Sequence, residues 1–281
     1  MTVPTLSLNS GATIPQLGFG VFQIDPADTK QAVLTAFEAG YRHIDTAQMY
    51  GNEAGVGEAI RTSGLARDDL YVTTKLNNSF HRPDDARRAI DESLERLGLE
   101  QTDLFLIHWP LPTQYDGDFV STWQALIEAQ QAGKTRSIGV SNFQPAHLDR
   151  IVEATGVVPV VNQVEVHPFF ANKDARGANA RHGVLTEAWS PIAQGKVNED
   201  DTIGEIASSV GRSPAQVTLR WHVQRGDIVF PKSMRRERMQ QNFELFDFEL
   251  SDADMARVSE LSLGESGRMG PNPDTFDYIP D

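Results

Sequence analysis

Four polar residues of types that can move a proton lie near the ends of short apolar runs: Asp45, Tyr50, Lys75 and His108. A lysine close to a tyrosine stabilises the phenolate and lowers the pKa of the phenol from its reference value of about 10. An aspartate paired with that lysine holds it in place and offsets part of the cost of burying its charge. Such a tyrosine can give a proton to a carbonyl oxygen, and a neutral histidine can orient the same oxygen. The set lacks an electron source, so a reduction would also need a hydride cofactor.

Each of these residues has a common structural explanation when it is considered alone. Asp45 could be a helix N-cap, and Tyr50 could anchor a loop. Lys75 could be a solvated residue at a strand end, and His108 could be a buried histidine with satisfied hydrogen bonds. Their joint occurrence at the ends of predicted strands favours a functional set.

The elements that must position these residues are short apolar runs alternating with amphipathic helical patterns. Eight runs are typical of strands: residues 17–22, 42–45, 70–75, 104–108, 137–141, 160–166, 185–190 and 228–231. Strands that alternate with helices pair in parallel, and eight units in a chain of 281 residues favour a (β/α)8 TIM barrel over a doubly wound sheet. We expect an α/β protein with one domain over residues 1–281, an N-terminal β-hairpin at 5–14 and a C-terminal tail over one barrel end.

A basic run follows the last predicted strand. Residues 232–238 contain four cations and one anion, and they open a short helix. The N–H groups at a helix start, together with Lys and Arg, can bind an anion, and barrels often bind phosphate near strands seven and eight. The alternative is an ordinary solvated helix face.

Other residues at predicted strand ends could contact a flat cofactor. Trp189 could stack on its ring, and Ser141, Asn142 and Gln163 could hydrogen-bond to a carboxamide, although each residue alone is equally typical of a core, a turn or a cap. The chain has neither a G-x-G-x-x-G motif after a strand nor a G-x-x-x-x-G-K-[ST] motif, so a Rossmann site or a P-loop is not supported.

Composition excludes several classes of protein. The absence of Cys rules out a disulfide scaffold, a cysteine nucleophile and a thiolate metal site. The net charge of −14 argues against nucleic-acid and membrane partners. With no signal peptide or membrane-spanning run in the sequence, we expect a cytoplasmic protein, and we expect a monomer.

Several long motifs, in order, resemble those of the aldo-keto reductases. The segments that carry the resemblance are 40–53 (GYRHIDTAQMYGNE), 106–110 (LIHWP), 138–143 (IGVSNF), 162–165 (NQVE) and 231–233 (PKS), with Arg238 and Asn242. The match extends from about residue 8 to 261. It is greatest to the prokaryotic reductases typified by 2,5-diketo-D-gluconate reductase, to which residues 190–196 and the short loop 111–119 are similar.

The resemblance implies NADPH-dependent reduction of aldehyde, ketone or dicarbonyl groups on small molecules, with Tyr50 as general acid. It implies that Asp45 and Lys75 tune Tyr50 and that His108 orients the substrate. The implied NADPH-binding residues are Gly20, Val21, Ser141, Asn142, Gln163, Trp189, Ser190, Ile192, Ala193, Gln194, Gly195, Lys232, Ser233, Arg238, Gln241 and Asn242. Phe22 and Trp109 would contact the substrate, and no metal is implied.

Two other barrel chemistries remain open from the residues themselves. A metal-dependent hydrolase could use His43, Asp45, His108, Glu165 and His167 as ligands, although this leaves Lys75 and the basic run unexplained. An aldolase could form a Schiff base on Lys75.

Overall fold

Eight parallel strands form a closed barrel in the computed structural model, which describes residues 3–280. Neighbours in the sheet follow chain order. The strands are β3 (Phe19–Gly20), β4 (His43–Asp45), β5 (Tyr71–Leu76), β6 (Thr102–Ile107), β7 (Thr135–Ser141), β8 (Val161–Glu165), β9 (Leu185–Trp189) and β10 (Ile228–Val229). The barrel closes where the N–H of Gly18 donates to the carbonyl of Val229 at 2.9 Å, and that of Val229 to the carbonyl of Gln16 at 3.1 Å. The predicted (β/α)8 barrel is confirmed.

Helices cover the outside of the barrel. They are α1 (Pro26–Ala39), α2 (Glu53–Thr62), α3 (Pro83–Leu97), α4 (Phe119–Gln131), α5 (Pro145–Thr155), α6 (Lys173–His182), α7 (Asp201–Val210), α8 (Pro214–Gln224), α9 (Arg236–Phe243) and α10 (Asp252–Glu260). Helix α3 shows the local reasons: Pro83 at its first turn has no N–H to satisfy, and Gly98 just past its end adopts a φ of 64°. Its apolar face, including Ala86 and Ile90, is buried.

The N-terminal hairpin closes the bottom of the barrel. Strands β1 (Thr5–Ser7) and β2 (Thr13–Pro15) pair antiparallel, as predicted. Leu8 and Ile14 pack with Leu104, Val160 and Ile228, which lie at or near the amino ends of their strands. The carboxyl ends of the strands therefore form the end that is available for chemistry.

The C-terminal tail crosses that carboxyl end, as predicted. Met269 and Gly270 hydrogen-bond to Glu165 at the end of β8, and Tyr278 accepts a hydrogen bond from Asn78 beyond β5. The tail thus runs from the β8 side of the barrel mouth to the β5 side. Within residues 3–280, no helix is both long and apolar enough to cross a membrane.

Candidate active site

A buried ion pair lies at the centre of the barrel mouth. Lys75, on β5, has no exposed surface, and its Nζ lies 2.7 and 2.8 Å from the two carboxylate oxygens of Asp45 at the end of β4. The same Nζ donates to the carbonyl of Thr46 at 3.0 Å and to the hydroxyl of Tyr50 at 3.3 Å. Three of the residues singled out by type are therefore joined through one ammonium group.

The loop after β4 brings Tyr50 over the ion pair. Residues Gln48–Tyr50 form one turn of 3-10 helix, which ends at Gly51 in the left-handed conformation. Asn52 holds the loop in place, since it accepts a hydrogen bond from Thr46 and donates another to the carbonyl of Val21. The Tyr50 hydroxyl consequently faces Lys75 while the ring remains partly exposed.

Burial and charge act in opposite directions on this pair. Burial would lower the pKa of Lys75, but the Asp45 charge and its hydrogen bonds leave that pKa above its ordinary value, so the side chain is a cation. Burial raises the pKa of Tyr50 above its usual 10.0, and the Lys75 charge opposes that rise. The net shift is upward, opposite to the expectation from a Lys–Tyr pair alone, because burial outweighs the charge. Tyr50 is therefore protonated at neutral pH.

His108 completes the group at the end of β6. Its ring packs edge-on against that of Tyr50, with the ring centroids 5.6 Å apart. Burial, followed by the Lys75 charge, holds the pKa of His108 well below its usual value. The neutral imidazole can therefore donate one hydrogen bond beside the Tyr50 hydroxyl, in agreement with the sequence-based expectation of a neutral histidine.

Gln163, on β8, links the ion pair to a second buried carboxyl group. Its side-chain nitrogen donates to Asp45 at 3.0 Å and to Glu187, on β9, at 2.9 Å. Both amide hydrogens are used in this way, so the side-chain oxygen of Gln163 remains free to accept. Burial and the nearby Asp45 charge raise the pKa of Glu187 to about 8, so this carboxyl is mostly protonated at neutral pH.

Asn142 positions the ring of Trp189. Its side-chain nitrogen donates to the carbonyl of His108 at 2.9 Å, and its side-chain oxygen accepts from the indole N–H of Trp189 at 2.8 Å. Ser141 donates to the carbonyl of Gln163 at 2.8 Å. Asn142 thus joins the indole of Trp189 to the backbone of His108, so a flat ring would meet an indole surface that is already held in place.

The loop after β9 has an unusual backbone. Ser190, Ala193, Gln194 and Gly195 all have positive φ angles, between 49° and 96°. Only glycine adopts this region without strain, so three of these residues are held there by the surrounding structure. Two of its N–H groups are bonded within the loop, that of Ala193 to the carbonyl of Ser190 and that of Gly195 to the carbonyl of Ile192, both at 2.9 Å, so the loop has a fixed shape.

The basic run lies beyond β10, at the start of α9. Lys232 and Arg238 are exposed, and neither forms an ion pair with any residue between 3 and 280. Arg236, in contrast, is paired with Glu38 at 2.6 Å. The Ser233 hydroxyl accepts a hydrogen bond from the N–H of Arg235. Gln241 and Asn242, two of the cofactor-binding residues implied by the resemblance, lie on α9. Arg235 is likewise exposed and without an ion pair among residues 3–280, so three cations of the run, Lys232 and Arg238 among them, are available for an anionic ligand.

Aromatic side chains surround the opening above Tyr50. Phe22, which is 55% exposed, lies with its ring centroid 5.0 Å from that of Tyr50. Trp109, directly after His108, packs against Phe276 of the tail with centroids 4.2 Å apart. The walls of the opening are thus apolar while its floor is polar, as in most small-molecule sites.

The chain is similar to known proteins over the residues that form the barrel and the candidate site. Residues 16–263 match the Aldo/keto reductase family. The chain belongs to this family. The resemblance inferred from the motifs is confirmed, and it includes nearly all of the barrel described above.

Particular aldo/keto reductases cover almost the whole chain. A methylglyoxal reductase of Yersinia pestis is 43% identical over 276 residues, which are 97% of each protein. The structure of a Gox0644 variant in complex with NADPH has a TM-score of 0.94 at 42% identity, covering 99% of this chain and 100% of that one. A candidate 2,5-diketo-D-gluconic acid reductase B has a TM-score of 0.91 at 38% identity, covering 96% and 95%. The expected likeness to the diketogluconate reductases is confirmed.

Two contacts of this aldo/keto reductase site were missed from the sequence. Glu187 is two residues before Trp189 on β9, so the period of two along a strand puts both on the barrel's inner side, and this spacing could have identified it. Phe276 lies in the tail, where no periodic pattern exists, and only the folded chain places it against Trp109.

The residues proposed as metal ligands do not come together in this reductase. His43 contacts Thr73 and the carbonyl of Pro15, and Glu165 binds His167 and the tail. Within the described part of the chain, no group of three or more His, Cys, Asp and Glu residues is placed to hold a metal ion. Lys75 is a buried cation, which disfavours it as a Schiff-base nucleophile.

Proposed function

We propose that this protein reduces aldehyde, ketone or dicarbonyl groups of small molecules to alcohols with NADPH, using Tyr50 as the proton donor. The observation that carries the proposal is the position of Lys75, whose ammonium lies between the Asp45 carboxylate and the Tyr50 hydroxyl. This arrangement keeps a positive charge beneath a phenol that opens to a pocket. It stabilises the phenolate that remains after proton transfer.

Each residue of the site has a separate role in the reduction. NADPH, when bound, supplies the hydride to the carbonyl carbon. The Tyr50 hydroxyl gives its proton to the carbonyl oxygen, and Lys75 stabilises the negative charge left on the phenolate. His108, which is neutral, donates a hydrogen bond to the same oxygen and fixes its position next to Tyr50. Asp45 keeps Lys75 in place and is itself held by Gln163.

The residues at the barrel mouth fit NADPH. Trp189 offers a flat face held by Asn142, and Gln163 has a free side-chain oxygen for a carboxamide. The loop after β9, with Ser190, Ile192, Ala193, Gln194 and Gly195, would hold the pyrophosphate. Gly20 and Val21, at and after the end of β3, would also contact the cofactor. Lys232, Ser233 and Arg238 would bind the 2′-phosphate, with Gln241 and Asn242 near the adenine. Lys232 and Arg238 form no ion pair within the described residues, which supports NADPH over NADH.

Phe22 and Trp109 would contact the substrate. Phe22 packs against the Tyr50 ring and Trp109 directly follows His108 in the chain, and both rings favour substrates with an apolar or planar part next to the carbonyl. The wider pocket is open on the Phe22 side, since that side chain is largely exposed.

We further propose that the enzyme acts in the cytoplasm as a monomer. All four proposed catalytic residues come from one chain and are held by contacts within it, which supports function without a partner subunit. The net charge of −14 supports the absence of nucleic-acid and membrane partners. Analytical ultracentrifugation at working concentrations tests the monomer, and a sedimentation coefficient of a dimer would reject it.

A substrate screen tests the activity. The purified protein is mixed with NADPH and, in turn, with methylglyoxal, aromatic aldehydes, sugar acids and diketones, and the loss of NADPH absorbance is followed. We expect turnover with at least one class, and a much lower rate with that class after Tyr50→Phe. If borohydride traps a carbonyl compound on Lys75, or activity follows the removal and return of a stoichiometric metal, an aldolase or a hydrolase replaces this proposal.

A further inference from the structure

Glu165, the last residue of β8, binds the C-terminal tail through both oxygens. One oxygen accepts the N–H of Met269 at 2.7 Å, and the other accepts the N–H of Gly270 at 2.9 Å. The Nε2 of His167 lies 3.0 Å from the first oxygen. The side chains of Glu165 and His167 have no exposed surface. A buried carboxylate that accepts two successive backbone N–H groups makes strong, charge-assisted hydrogen bonds.

The protonation state of Glu165 suits this role. Burial alone would raise its pKa, but the hydrogen bonds from His167, Met269 and Gly270 leave the pKa below its ordinary value. Glu165 is therefore a carboxylate throughout the neutral range, and it accepts from every donor that faces it. The contact needs no bound ligand to persist.

The tail segment held by Glu165 touches the indole of Trp189. A Cβ atom on Gly270 would lie 2.4 Å from Cη2 of Trp189 and 3.1 Å from the Glu165 carboxylate. No side chain fits there, so the backbone of the tail packs directly on the ring that faces the proposed cofactor site. The hydrogen bonds to Glu165 therefore set how closely the tail approaches Trp189.

Beyond Gly270 the tail depends on weaker contacts. Phe276 packs on Trp109, the carbonyl of Tyr278 accepts from Asn78 at 2.9 Å, and that of Pro280 accepts from Ser79 at 2.7 Å. Asp274, which is largely exposed, also lies 3.4 Å from Nε2 of His147. The aromatic contact, the two neutral hydrogen bonds and this exposed pair are each weaker than a bond to a buried charge. The Glu165 carboxylate is the strongest attachment at the start of this span.

We propose that Glu165 is a positioning residue that fixes the tail, residues 269–280, as a wall of the substrate pocket. It acts through Gly270 and Phe276, and it touches neither substrate nor cofactor. The proposal rests on the carbonyl reductase activity proposed above. The buried Glu165 carboxylate holds Phe276 beside Trp109 and thereby sets the affinity for the carbonyl substrate.

Glu165→Gln tests the proposal with almost no change in size. The glutamine nitrogen would face an N–H of the tail, so one hydrogen bond is replaced by a donor–donor contact. We expect the amides of Met269 and Gly270 to exchange with deuterium about tenfold faster or more, since a hydrogen bond to a buried charge is lost. We expect KM for the carbonyl substrate to rise roughly tenfold while kcat changes less than about twofold. The Kd for NADPH should be unchanged.

Two further variants separate positioning from general damage. Glu265→Gln removes the same kind of charge close to the start of the tail, but Glu265 is 69% exposed and, among the described residues, pairs only with Arg268, so exchange and KM should match the wild type. Gly270→Ala keeps Glu165 intact and pushes the tail away from Trp189, so it should raise KM as Glu165→Gln does. It also gives an independent result if Glu165→Gln fails to fold.

The outcomes distinguish this proposal from the proposed activity. Unchanged amide exchange in Glu165→Gln would show that the carboxylate does not fix the tail. Faster exchange with an unchanged KM in both variants would show that the tail is not a wall of the pocket. Either result overturns the inference and leaves the reductase activity standing. If the wild type oxidises no NADPH with any carbonyl compound, the proposed activity and the proposed substrate role are both wrong. The exchange measurement would still show whether Glu165 fixes the tail.

Discussion

Lys75 donates hydrogen bonds to both oxygens of Asp45, at 2.7 and 2.8 Å, before it reaches the Tyr50 hydroxyl at 3.3 Å. Because the contacts of Lys75 with Asp45 are shorter than its contact with Tyr50, the Lys75–Asp45 ion pair is the fixed part of the site, and the Tyr50 hydroxyl contacts this pair. Both charges are buried, with Lys75 fully enclosed and Asp45 only 4% exposed. Removal of either partner would leave a buried charge without compensation.

The first prediction concerns stability. Lys75→Met should lower the free energy of unfolding by about 3–5 kcal/mol, because the Asp45 carboxylate remains buried without its partner. Urea denaturation measures the loss, and adding Asp45→Asn should restore part of it. Lys30→Met is the matched control, since the Lys30–Glu58 pair is exposed and its loss should change the free energy of unfolding far less. Equal losses for the two Lys→Met variants would contradict the assigned burial.

The second prediction concerns proton donation. Tyr50→Phe should reduce kcat by about 10²–10⁴-fold, the range for loss of a positioned general acid. The Kd for NADPH, measured by quenching of protein fluorescence, should stay within about twofold, because the ring contact with Phe22 is kept. A variant with near-normal kcat would remove Tyr50 from the proposed role.

The third prediction concerns the choice of cofactor. Lys232→Ala combined with Arg238→Ala should weaken NADPH binding about 10-fold or more and leave NADH binding nearly unchanged, since each charge-assisted hydrogen bond to phosphate contributes about 1.5–3 kcal/mol. Arg236→Ala is the control, because Arg236 is already paired with Glu38. Parallel losses for NADPH and NADH would rule out the assignment to the 2′-phosphate.

The fourth prediction concerns pH and rate. Reduction needs a protonated Tyr50, and its raised pKa keeps the proton in place until the solution is strongly alkaline. The pKa of His108 is lowered well below its ordinary 6.5, so it stays neutral throughout the neutral range. We therefore expect kcat/KM for reduction to be level between about pH 6 and pH 9 and to fall only above that range. An inflection near the ordinary pKa of histidine would contradict the assigned neutral state.

The fifth prediction concerns pH and stability. Glu187 has its pKa raised to about 8 in the folded chain, so between its ordinary value of 4.5 and about 8 the unfolded state releases a proton that the folded state retains. This contribution to stability is complete below the ordinary pKa and is lost as pH rises through that window, with a slope of at most about 1.4 kcal/mol per pH unit. Glu187→Gln should therefore gain stability relative to the wild type as pH rises, and the difference should level off above about pH 8. Denaturation midpoints over this range measure it, and a difference that does not vary with pH would refute the shift.

The barrel and most of its mouth could be predicted because their signals are local and periodic. Each strand is a short apolar run, and the polar residues at strand ends, such as Asp45 and His108, gather at one end of a parallel barrel by topology alone. The lengths of β3 and β10 could not be predicted in the same way. Each has only two residues, since Gln23 turns with a φ of 59° after β3 and Pro231 has no N–H to extend β10.

The role of Glu165 could not be predicted from sequence patterns. As a polar residue at the end of β8 it attracted attention as a metal ligand, yet its partners are two backbone N–H groups about a hundred residues further along the chain. Hydrogen bonds from a side chain to a distant backbone have no sequence signature. The roles proposed for individual site residues, the single domain over residues 1–281 and the monomeric state stay predictions.

Phe276, in the tail, comes late in the sequence, whereas the four proposed catalytic residues come in the first half of the sequence. The residues proposed for chemistry and those proposed for selectivity are therefore encoded in separate segments of the gene. Recombination that exchanges only the terminal segment between relatives would change which carbonyl compounds are accepted and leave the proton-transfer residues intact. During synthesis the same order holds, since the proposed reacting groups leave the ribosome before the segment proposed to select their substrate.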